Sequence, residues 1–151
     1  MSTNSGRRDM AMALAAAFLF ASISVTAQTR TFGGRLSPVP ITVAMQEAVA
    51  GRGSVTAVLA GNRLTLEGTF DGVRSPATVA RRHMAPRGIR GPAVADFMVP
   101  GATSGTFKAV VELSDAQRQA LEKNSLYIQI HSQKAPEGNL WGWLLPQEVK
   151  R

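Results

Sequence analysis

Alternation of apolar residues at every second position recurs along this chain and limits its fold more tightly than any other feature. Ile41, Val43 and Met45, then Val55, Ala57 and Leu59, then Leu64, Leu66 and Phe70 each place apolar groups on one side of an extended backbone, the pattern of half-buried strands. Gly61-Asn62 separates the second run from the third, and both residue types tolerate positive φ. A two-residue turn there folds Leu59 and Leu64 into an antiparallel hairpin. Further strands are expected over 77–83, 93–99, 105–113, 126–131 and 140–145, divided by Gly and Pro clusters. Seven or eight short strands predict an all-β antiparallel sandwich. One stretch departs from the rule. Ser114 and Gln117 have the spacing of a capping box and Leu121 follows four residues on, so a short helix is expected to about Lys123, with Asn124 as a left-handed stop.

A length of 151 residues allows one domain, and 44% hydrophobic with 18% charged residues suffices for a core while excluding wholesale disorder. The chain contains no cysteine, which removes disulfides, thiolate metal sites, covalently attached haem and a cysteine nucleophile. Residues 1–27 have the three-part pattern of a secretory leader: Arg7 and Arg8, the apolar run from Met10 to Phe20, and small residues at Val25-Thr26-Ala27. The apolar run falls short of the roughly 20 residues that span a bilayer, so cleavage after Ala27 is expected, with a periplasmic or extracellular destination and no lasting membrane span. Residues 28–35 then form a loosely held N-terminal extension, and 36–147 the domain.

Loss of Arg7, Arg8 and Asp9 with the leader takes the totals from 17 basic and 10 acidic residues to 15 and 9, a formal charge of +6. Arg74, Arg81, Arg82, Arg87 and Arg90 fall within 72–95 with no acidic residue among them, which predicts one positive surface attractive to anions. Nucleic acid is not the expected partner, because no aromatic run accompanies the arginines to stack bases. An anionic polysaccharide, a lipid surface or an acidic protein fits better. The motifs of nucleophile elbows, phosphate loops, His-Glu-x-x-His metal sites and calcium loops are missing from the sequence, and no cofactor is implied.

Two segments are more specific. His83-Met84-Ala85-Pro86-Arg87-Gly88-Ile89-Arg90-Gly91-Pro92-Ala93-Val94, and Leu126-Tyr127-Ile128-Gln129-Ile130-His131-Ser132 with Pro136, Gly138 and Gly142 after it, together resemble the CHRD domain, the module named after chordin. The likeness runs over about residues 32–145. It implies a Greek-key-like β-sandwich similar to immunoglobulin-like and copper–zinc superoxide dismutase folds, and an extracellular, non-catalytic binding module of unknown ligand. Fold likeness to a dismutase carries no dismutase chemistry. Arg81 stands where the family usually has a first histidine, and Asn139 and Trp141 where Glu and Arg usually lie.

His83 and His131 match the remaining family histidines and are the only two in the chain. Together with Arg81, Arg82, Arg87 and Arg90 they form the candidate ligand-binding set, suited to a carboxylate or sulfate. The alternative is a copper- or zinc-binding protein, carrier or redox enzyme, using His83 and His131, although Arg81 two residues before His83 opposes a cation. Structural hydrogen bonding by both histidines is the plainest reading. Tyr127, Gln129 and His131 share one strand face, expected to look outward or into a groove, opposite Leu126, Ile128 and Ile130. Trp141 and Trp143 also share a face, open to core packing or to use as an aromatic platform.

Overall fold

The computed structural model describes residues 28–148; the expected leader at 1–27 lies outside them. Nine strands and one helix follow in the order β1 (Thr29–Pro38), β2 (Arg52–Ala60), β3 (Arg63–Asp71), β4 (Ala77–Met84), β5 (Ala93–Phe97), β6 (Gly105–Glu112), α1 (Asp115–Glu122), β7 (Leu126–Ser132), β8 (Ala135–Trp143) and β9 (Leu145–Pro146). The chain is all-β with one short helix, as expected. Pairing is antiparallel throughout, in the spatial order β5-β4-β7-β8-β1-β2-β3-β6 with β9 beside β1, and the sheet curls until it is nearly closed into a barrel-like shape. Among the described residues no helix is long and apolar enough to cross a membrane.

The alternating runs supply the interior. Val55, Ala57 and Leu59 on β2 and Leu64, Leu66 and Phe70 on β3 face Leu126, Ile128, Ile130 and Leu140 across one buried cluster. The hairpin pairs Leu59 with Leu64 as the spacing requires, and Gly61 alone of its two turn residues takes positive φ, at 61°. Gly first is the arrangement of a type II′ turn. Helix α1 also forms as expected. Ser114 and Gln117 make both bonds of the capping box, and Asn124 stops the helix at φ 57°.

Two expectations about the first third of the chain are corrected. Residues 41–45 do not form a strand: Val43–Met45 is a single 3-10 turn, and Val43 is 82% exposed. Alternation specifies a strand only where a neighbouring strand takes up the backbone bonds. The extension expected at 28–35 is instead most of β1, which runs through the middle of the sheet. Thr29 to Leu36 pair with β2, while Ser37 and Pro38 pair with β8, so this one strand joins the two halves of the sandwich. Gly34 and Gly142 permit the crossing. A Cβ on Gly34 would collide with the Trp143 carbonyl, and one on Gly142 with the Arg35 carbonyl.

Candidate functional site

The register of β4, β7 and β8 assembles the candidate side chains on the outer face of one half of the sheet. Arg81 lies opposite Gln129, His83 opposite Tyr127, and Val79 opposite His131; across β7, Tyr127 and Gln129 lie opposite Trp143 and Trp141. The polar face of β7 is not open to solvent as its sequence suggests, since all seven residues of the strand are buried. Its covering comes from 85–92 and 136–139, through bonds to backbone. Gly91 N–H donates to Tyr127 Oη at 3.0 Å, Trp143 Nε1 to the Ala85 carbonyl at 3.0 Å, and Gln129 Nε2 to the Glu137 carbonyl at 2.8 Å. Gly138 fits over Gln129 only because it lacks a Cβ.

The two histidines meet within this layer. Their ring centroids are 6.2 Å apart with planes inclined by 24°, and His83 also stacks on Tyr127 at 4.8 Å. Each ring is anchored in the same way: Nδ1–H of His83 donates to the Gly91 carbonyl and that of His131 to the Pro136 carbonyl, both at 2.8 Å. A carbonyl only accepts, which fixes Nδ1 as the protonated nitrogen. In a neutral ring this leaves the lone pair on Nε2, and both Nε2 atoms are buried without a protein hydrogen-bond partner. Burial holds the His131 pKa below its ordinary value, against a raising effect from the Pro136 carbonyl; Arg81 and His83 lower it further and Asp96 raises it.

The arginines do not form one surface. Arg82 points to the opposite face of β4, is 2% exposed, and makes one side-chain bond, Nη2 to Gln117 Oε1 at 3.0 Å, leaving Nε and Nη1 without protein partners. Desolvation pushes its pKa down. Arg81 stays beside the histidines but is partly neutralised by Asp96, 3.1 Å from its Nε, an acid one position past the run that reads as wholly basic. Arg74 precedes β4 and Arg87 follows it, so the eight residues of the strand separate them. Glu67 and Asp71 are surface partners of Lys108 and Arg52.

What the basic segment does build is smaller and includes a residue that the sequence did not single out. A groove of about 300 Å³ lies over the seam between β1 and β8, lined by Arg35, Ser37, Arg87, Trp141, Trp143 and Leu145 among others. Arg90 adds a third cation at its side, 5.9 Å from the Trp141 ring, held by a 3.1 Å bond to the Glu137 carbonyl. The tryptophans are half-buried and meet edge to face at 4.7 Å, so they pack and line the groove at once. Arg35 was legible in principle: parity with Phe32 and Leu36 turns it outward once 29–38 is read as a strand.

No curated protein and no solved structure matches this chain. The CHRD domain model matches residues 36–144, from within β1 to the end of the β8–β9 junction, and the chain belongs to that family.

Proposed function

We propose that this chain is an exported, non-catalytic binding module that holds an anionic polysaccharide in the groove over β1 and β8. The observation that carries the reading is the juxtaposition of Arg35 and Arg87 with Trp141 and Trp143 in one open groove. Aromatic rings offer apolar faces to sugar rings, and guanidinium forks match carboxylate and sulfate geometry. Arginines stay charged and do not exchange protons near neutral pH, which suits retention of an anion better than turnover of a substrate. The leader-like pattern of 1–27 supports export.

The test is binding of a polyuronate, with neutral dextran as control, to the wild-type chain and to an Arg35→Ser, Arg87→Ser double variant. The wild type is expected to bind the polyuronate with an affinity that falls as salt is raised, and the double variant to bind at least about tenfold more weakly, the effect of removing roughly 1.4 kcal/mol or more. Equal binding of dextran, or an unchanged double variant, overturns the reading.

A further inference from the structure

The histidine pair poses a separate question, independent of the groove. A buried polar atom ordinarily has a partner, and here two lone pairs of the same kind are left over in one layer. His83 is 8% exposed and His131 4%. In both rings the other nitrogen donates to a backbone carbonyl, the arrangement that orients an imidazole for a metal and raises its basicity as a ligand. A centroid separation of 6.2 Å is short enough for one ion to sit at the usual metal–nitrogen distance, about 2.0–2.1 Å, from a nitrogen of each ring.

We infer that His83 and His131 bind one soft monovalent cation, Cu(I), through their Nε2 atoms. The choice of ion follows from count and charge. Among the described residues no group of three His, Cys, Asp or Glu is placed to hold a metal, so the site offers two protein nitrogens, too few for the three or four protein ligands that zinc sites take. Arg81, between the two histidines on the same face, repels a divalent ion twice as strongly as a monovalent one, and Asp96 offsets part of that repulsion. Imidazole suits copper, and neutral nitrogens add no charge to be desolvated. The Arg81 side chain beside the pair is partly exposed.

The experiment titrates the full chain with Cu(I) under anaerobic, reducing conditions and, in parallel, with Ag(I), which has the same preferences without redox chemistry. Imidazole nitrogens and methionine methyls are followed by NMR. One ion per chain is expected, with both Nε2 resonances shifted and both Nδ1–H bonds retained. His131→Gln and His83→Gln should each weaken binding at least tenfold, and Arg81→Gln should tighten it. Among the described residues Met98 is the exposed methionine and a competing soft donor; Met98→Leu should leave the affinity as it is. Absence of binding, shifts confined to methionine methyls, or weaker binding in Arg81→Gln overturns the inference. The wild-type spectra and the Arg81 variant keep the test decisive if a histidine variant fails to fold.

Discussion

Arg82 shows how a single residue can be placed correctly by parity and misread by charge. Alternation along β4 puts it on the same face as Ala80 and Met84, which is the core face, yet a guanidinium is ordinarily assigned to solvent. In the structure it enters the interior with one bond to a neutral side chain. Such a bond contributes roughly 1.5–3 kcal/mol, while desolvating the charge costs several kcal/mol, so the residue is a net burden on the fold. Replacement by an unbranched apolar side chain that follows the same path should therefore stabilise. Arg82→Met is expected to raise the unfolding free energy by about 1 kcal/mol or more, read from urea melts at constant m-value. A lower midpoint would mean that the guanidinium finds compensation beyond Gln117. His131 was legible in the same partial way. Its face followed from the pattern, but its burial did not, because the covering segments 85–92 and 136–139 lie outside any periodic run.

Helix α1 is the element read most fully from sequence, since a capping box is a local device whose partners are three residues apart. What sequence spacing could not reveal is the second duty of Gln117. Its Oε1 accepts both from the Ser114 backbone N–H, at 3.3 Å, and from Arg82, at 3.0 Å. Gln117→Ala thus removes part of the cap, worth about 0.5–2 kcal/mol, and leaves a buried cation without a protein partner. The expected loss exceeds that of a cap alone and shrinks when Arg82 is already Met; a double-mutant cycle measures the difference as coupling. Additive effects would refute the shared role. The failed strand at 41–45 is the counterpart. Ile41 and Val43 alternate correctly but have no strand to pair with, and the segment keeps only a 3-10 turn against Val39, Val49 and Ala135.

At the scale of the whole molecule, the sheet's continuity depends on β1. Sequence assigned its residues to an extension because Gly33, Gly34 and Arg35 break the apolar rhythm there, and glycine weakens a strand unless a close backbone approach requires it. That approach is a property of the crossing with β8, more than 100 residues away along the chain. Hydrogen exchange separates the two views. Amides of Phe32 and Leu36 should be protected to the same degree as those of β7, exchanging only through global opening, while those on the outer edges of β5 and β6 exchange sooner. Fraying of β1 ahead of β7 would return it to the status of an appendage.

The seam between β1 and the last strands also bears on the order in which the chain acquires its shape. Phe32 and Gly33 pair with Pro146 and Leu145, and Gln147 N–H donates to the Thr31 carbonyl at 2.9 Å. These partners follow β1 in the chain by more than 100 residues. Pairings of such long range are slow, because loop closure is paid before the contact rewards it. Until β8 and β9 have been made, β1 has only its β2 neighbour, and the two halves of the sheet stay unjoined.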